Sequence, residues 1–181
     1  MFDLTPAHLH LLVNHLPVEG SIAAFLLLLW ALLRRSSELK RLALLAFIFV
    51  GICTFVADQT GGGASREMRN VSGIDIAKIH EHSQSADYAQ MIAFGVAVVS
   101  LIGLIIAWQK SDTPIVSHDR AEYIRHHKEP PKWVMIVVLI AGLLEMSVFA
   151  RTAYLGGLIR HPEIQSSFPV PADTSKHSQP L

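Results

Sequence analysis

The chain has 181 residues, 51% of them hydrophobic, and its 15 basic side chains are balanced by 15 acidic ones. That neutral balance supplies no basic field for nucleic acid and excludes it as a partner. One domain is the expectation at this length. The single cysteine, Cys53, rules out an intrachain disulfide and reads as a small buried residue.

The apolar residues gather into four blocks, each of the size of a membrane span. The first span is expected over 6–33. Thr5-Pro6 opens it with a capping side chain and a proline at the first helical position. Pro17 lies inside the helix, where it removes one donor and leaves the Val13 carbonyl without its usual partner, so a kink is expected near Val13 to Pro17. Gly20 permits close approach of a neighbouring helix. The opening residues carry Asp3 and no Lys or Arg, and no small-residue cleavage site follows the apolar run; both argue against a cleaved signal peptide.

The second span is expected over 42–58, ending where Asp58-Gln59-Thr60 and then Gly61-Gly62-Gly63 break the run. The polar segment from Ala64 to Ile76 reads as an extramembrane loop with room for a short helix. The third span is expected over 83–108, extended upstream because Ala77 to Gln90 holds no breaker. A charged link from Lys110 to Lys132, with Pro114, Pro130 and Pro131, leads to a fourth span over 133–155 that stops at Gly156-Gly157. The expected fold is therefore all-α: a polytopic four-helix transmembrane bundle over 1–165, followed by a disordered Ser- and Pro-rich tail over 166–181.

Basic residues orient it. Arg34, Arg35, Lys40 and Arg41 sit in the first link and Lys110, Arg120, Arg125, Lys128 and Lys132 in the third, whereas 58–87 hold only Arg66, Arg69 and Lys78. The positive-inside rule then places both basic links in the cytoplasm and both termini outside, N-out/C-out.

Counting upward from the basic end of each helix gives comparable depths. Glu19 and Glu145 come out at roughly 22 and roughly 20 Å, near mid-membrane. His15 and Arg151 lie at roughly 28 Å, Asp58 at roughly 26 Å and Gln90 at roughly 30 Å. His10 at roughly 36 Å and His82 at roughly 42 Å approach the outer surface, where His8, His80 and His161 also belong. Polar groups from separate segments thus converge on one side, and ionisable groups at such depth usually mark a site. Glu19 and Glu145 are expected to face the bundle interior, near one another or near Arg151 and His15. Bland readings stand beside the functional one. The two glutamates suit neutral acids bonding between helices, and Arg151 suits a partner for Asp58 or Glu145. Tyr88 and Tyr154 read as interfacial anchors. His118, His126, His127 and His177 read as solvated.

The stretch His10-Leu11-Leu12-Val13-Asn14-His15-Leu16-Pro17 resembles the H-P-x-x-V-H-F-P-like opening of a family of bacterial four-span membrane proteins of unknown function, with Leu11 and Leu16 in place of that pattern's first proline and its aromatic. Ile79-His80-Glu81-His82 stands where that family carries a histidine near the head of its third span. Gly156-Gly157-Leu158-Ile159-Arg160-His161 resembles its G-G-x-L-V-x-x-H-like end, with a gap two residues shorter. The resemblance implies a multi-pass protein of the bacterial inner (cytoplasmic) membrane with a histidine-rich outer end, and no established activity.

Imidazoles on separate helices suit haem b, with two neutral histidines as axial ligands and the macrocycle between helices. The candidates are His10, His15, His82 and His161, with Arg151, Arg66, Arg69 or Arg160 for the propionates. Such a protein carries electrons from a membrane donor, for instance a quinol, to a periplasmic carrier. Three alternatives stay open. One is a Zn, Cu or Fe ion held by His10, His15, His80, His82 and Asp58. Another is a cofactor-free proton or substrate pathway through Glu19, Glu145, Arg151 and His15. The third is a structural subunit of a larger respiratory complex, with lipid as its other partner. His80-Glu81-His82 lacks the spacing of a zinc-protease helix, and no nucleophile arrangement supports a hydrolase.

The topology is directly testable. Reporter fusions at Ser37 and at Ser117 are both expected to score cytoplasmic, and a periplasmic score at either contradicts the orientation.

Overall fold

The structure is a computed structural model, and it describes residues 5–109 and 129–161. Among these every element is helical: α1 (Pro6–Val13), α2 (His15–Arg34), α3 (Ser37–Met68), α4 (Ile76–Gln109) and α5 (Lys132–Arg160). Four stretches are long and apolar enough to cross a membrane: Pro6–Arg34 (α1 with α2), α3, α4 and α5. The long helices close into a ring, with α2 on α3, α3 on α4, α4 on α5 and α5 back on α2, while α1 lies on α3. Ser85 meets Thr152 and Gly103 meets Val134, so α4 and α5 run antiparallel. One end of the bundle carries Arg34, Arg35 and Lys132, and the other carries His10 and His82.

The first span breaks where Pro17 required it. Only Asn14 separates α1 from α2, and its N–H still closes on the His10 carbonyl at 2.9 Å. At the basic end α2 stops on Arg35, whose φ of 53° is left-handed, and Ser36 caps α3 by accepting from the Leu39 N–H. Lys40, buried against the bundle, bonds Glu129 at 2.9 Å and ties the segment leading into α5 onto α3.

The second span does not end at Asp58 or at the triple glycine. Helix α3 continues through Gly61-Gly62-Gly63 to Met68, so the first part of the expected loop is helical. Glycine costs about 1 kcal/mol in a helix interior, and here the seating of α1 offsets it. A Cβ at Gly63 would fall 2.9 Å from Pro6 Cβ, so only glycine lets α1 sit this close. The Ala7 N–H, an orphan donor at the start of α1, gives its proton to Glu67 Oε2 of the extension at 3.0 Å. The turn after Met68 passes through Gly73 at φ 84°, and Asp75 Oδ1 accepts from the Ala77 N–H to start α4 at Ile76, upstream of the expected 83. The fourth span likewise runs past Gly156-Gly157 to Arg160, where the His161 N–H bonds the Gly157 carbonyl at 2.9 Å. The expected tail and most of the third link lie outside the described residues.

The core lies toward the basic half, built from Leu28, Leu44, Phe47, Val134 and Val138, all fully buried. Large apolar side chains such as Leu26, Phe49, Met91 and Ile140 point outward instead. Buried polar residues include Ser21, Thr54, Ser85, Ser100, Glu145 and Thr152. An apolar outside around a small-residue, weakly polar inside is the arrangement a lipid solvent favours.

The glycine run separates two roles. Gly62 has open space around it, so Gly62→Ala is expected to gain up to about 1 kcal/mol of helix propensity. Gly63→Ala is expected to lose about 1–3 kcal/mol by pushing Pro6 away. Thermal unfolding in detergent measures both; equal stability of the two variants would show that α1 is not seated on Gly63.

Candidate functional site

The histidine end presents two imidazoles held in the same way. His10 of α1 lies against α3, with Nδ1 3.1 Å from the Ala57 carbonyl oxygen and 3.1 Å from Thr60 Oγ1. His82 of α4 lies against α5, with Nδ1 2.9 Å from the Thr152 carbonyl oxygen. Each ring also rests on a glycine four residues beyond that carbonyl. A Cβ at Gly61 would stand 3.4 Å from His10 Cε1, and one at Gly156 would stand 3.2 Å from His82 Cε1. Within an α-helix the carbonyl of residue n−4 already accepts from the N–H of residue n. With no Cβ at residue n, the carbonyl stays open to a second donor from outside.

The hydrogen bonds assign the tautomers. A carbonyl oxygen only accepts, so His82 Nδ1 is the donor to Thr152. Thr60 gives its hydroxyl proton to the Ala57 carbonyl at 2.8 Å, so it too accepts from His10, and His10 Nδ1 is again the donor. In both neutral rings Nε2 therefore keeps its lone pair, as in a ligating histidine whose other nitrogen is tied to a backbone carbonyl. The two rings come from different helices at the same end of the bundle.

Polar neighbours extend the His82 side. Thr152 Oγ1 donates to the Val148 carbonyl at 2.9 Å and accepts from Ser85 Oγ at 2.7 Å, while Arg151 Nη1 reaches Ser85 Oγ at 3.5 Å. On the His10 side, an open groove of about 430 Å3 includes Thr5, Pro6, Gly63, Arg66 and Glu67, and Arg66 also lines an adjoining one of about 280 Å3.

Other expected residues lie elsewhere. His15 is exposed on α2, and His80 is exposed on α4 beside Gln84. His161, at the end of α5, is exposed, and Gln90 is half-buried. The metal-ion set His10, His15, His80, His82 and Asp58 is not gathered: among the described residues no three His, Cys, Asp or Glu side chains converge as an ion site would need. Arg151 points to Ser85 rather than forming a described ion pair with Asp58 or Glu145. It stands six residues beyond Glu145, about 240° around the helix, which puts the two on different faces.

The mid-bundle glutamates part company. Glu145 is fully buried as expected, and neither carboxyl oxygen has a hydrogen-bond partner among the described residues. It stands one turn beyond Gly142, which abuts Phe47 and Phe25, and one turn before buried Phe149. Asn14 Oδ1, at the α1–α2 break, is also buried without a partner. Glu19 does not face the interior. The buried stripe of α2 is Pro17, Ser21, Ala24, Leu28 and Ala31, and Glu19 stands about 200° past Pro17, on the exposed side.

Sequence reasoning missed Thr60, Ser85, Thr152, Gly61 and Gly156. The available signal was local: in α3 and α5 a hydroxyl residue stands within four positions before a glycine, opposite a histidine helix.

No protein-family model matches this sequence, and neither the curated proteins nor the solved structures contain a match.

The two seats differ in tightness, which makes them separable. In 15N spectra of histidine-labelled protein, two rings are expected as fixed Nδ1–H tautomers with unprotonated Nε2. Gly156→Ala is expected to release one of them, because its Cβ would crowd the His82 ring at 3.2–3.3 Å, whereas Gly61→Ala at 3.4 Å leaves the other in place. Two rings averaging between tautomers like free imidazole would contradict the assignment.

Proposed function

We propose that this chain is a b-type cytochrome-like electron-transfer protein of the bacterial inner membrane, with both termini outside and His10 and His82 as the residues that would hold the haem. One observation carries the reading: two imidazoles on separate helices each have Nδ1 committed to a backbone carbonyl and Nε2 left as the ligand nitrogen. That state is the one a haem iron takes, and the backbone bond both orients the ring and raises its basicity. Two ligands suffice for haem, whereas a bare zinc site needs three or four. Bound there, haem b would supply a one-electron iron couple.

The remaining residues fit that task. Thr60 and the carbonyls of Ala57 and Thr152 hold the rings against rotation. Arg66 lines both grooves beside α1 and offers a guanidinium for a propionate. The four apolar helices keep the surroundings low in dielectric, one of the factors that sets a haem potential. The exchange partners implied are a lipid-soluble quinol and a periplasmic carrier.

A cofactor-free proton path is the second reading, favoured by the orphaned oxygens of Glu145 and Asn14.

Colour decides between them. Protein purified from cells with adequate haem is expected to show a Soret band, with α and β bands sharpening on dithionite reduction. His10→Ala or His82→Ala should abolish or shift those bands, while His80→Ala leaves them. Colourless protein, with or without stoichiometric zinc or copper, overturns the haem reading; proton flux in vesicles that Glu145→Gln stops then establishes the second.

A further inference from the structure

The outward face of α2 carries a carboxyl where a lipid-facing helix should have none. Glu19 is exposed and lies near the middle of the stretch Pro6–Arg34, about 20 Å from either end. The hydrocarbon core of a bilayer is about 30 Å thick, so Glu19 stands close to its centre, beyond the reach of a side chain this short to either surface. Its exposed neighbours are Leu16, Ile22 and Leu26. His15, one turn toward the histidine end, shares the face and is exposed too. The described hydrogen bonds and ion pairs do not join the two. An ionisable pair turned outward at this depth is costly unless something with matching donors and acceptors covers it.

We infer that the cover is a second copy of this chain, packed through α2 about a two-fold axis along the membrane normal. This rests on reading the four helices as spans. Every copy inserts with the same orientation, so the identical faces meet at identical depth. A two-fold contact is isologous, so each interaction is made twice. Glu19 bonds the partner's His15, and His15 bonds Glu19 of the partner subunit. One carboxyl and one imidazole share a proton in each bond, and no polar group is left facing lipid. The face also has the spacing for it: His15, Glu19, Ile22, Leu26, Leu29 and Leu33 alternate by four and three residues, and all are exposed. That is the seam along which two helices pack in parallel, and polar residues within such a seam fix register and partner number. A foreign subunit would need its own donor and acceptor at both depths, whereas a second copy has them by symmetry.

The test uses the full chain in native membranes, with Cys53 replaced by Ala to remove the one native thiol. Ile22→Cys and Leu26→Cys, each alone, should give disulfide-linked dimers on oxidation. Leu101→Cys, equally exposed but on α4, should not. Adding His15→Leu with Glu19→Leu should cut the cross-linked fraction at least tenfold. Failure of both seam cysteines to cross-link, an adduct with a different protein, or cross-linking undiminished by the double variant overturns the dimer. Extraction at alkaline pH separates the premises. Release of the chain from membranes overturns the spans and the dimer together, whereas retention without cross-links overturns the dimer alone.

Discussion

A carbonyl inside an α-helix already holds one N–H, and it takes a second donor most readily where no Cβ covers it. The histidine end of this protein shows that arrangement twice, tightly at Thr152 with Gly156 and more loosely at Ala57 with Gly61. The histidine is supplied from a neighbouring helix each time, so each bond is also a tertiary contact, α1 to α3 in one case and α4 to α5 in the other. Without Gly63, α1 would stand away from α3, and the Ala7 N–H would lose Glu67. The geometry that presents two Nε2 atoms is thus the same geometry that assembles this end of the bundle.

The rest of the bundle follows from an apolar exterior. Where the surroundings are as oily as leucine, helices gain little by hiding leucine, and close approach of small residues takes over. Gly51 against Ala97 and Gly103 against Val134 are contacts of this kind. Several serines and threonines in such interfaces return their hydroxyls to their own helix, as Thr54 does to Val50 and Ser21 to Val18. Glu145, Asn14 and Ser100 have no such outlet among the described residues. An unpaired buried polar group costs roughly 1–3 kcal/mol, so its presence in a packed interior is a sign of work other than stability.

The two glutamates of similar depth show how one residue type takes opposite roles. Glu145 lies inside the ring, one turn before buried Phe149, and Glu19 lies outside it, one turn from His15. Among the described residues neither has a hydrogen-bond partner, and one turns toward the core while the other turns outward. The histidine pair, the buried acid and the outward pair are three separate polar features of the bundle.

Much of the architecture was legible in the residues alone. Four runs of sufficient length and hydropathy, the proline break before α2 and the basic end all follow from local composition, because span length and backbone donors are properties of a single segment. The helix ends at Gly61-Gly63 and Gly156-Gly157 were not legible. Glycine reads as a breaker when its propensity acts alone, and the helices run through it here with Pro6 packed tightly on Gly63 and His82 on Gly156. Position along each helix was also readable, since it depends only on rise per residue; facing was not. Which side of α2 turns inward is decided by what α3 and α5 place against it, so Glu19 went outward while Glu145 went inward. The sequence by itself determined that many imidazoles share one end. Only the tertiary structure decided that His10 and His82 are the pair with Nδ1 spoken for, because the acceptor in each case is a backbone carbonyl on another helix, which no residue name records.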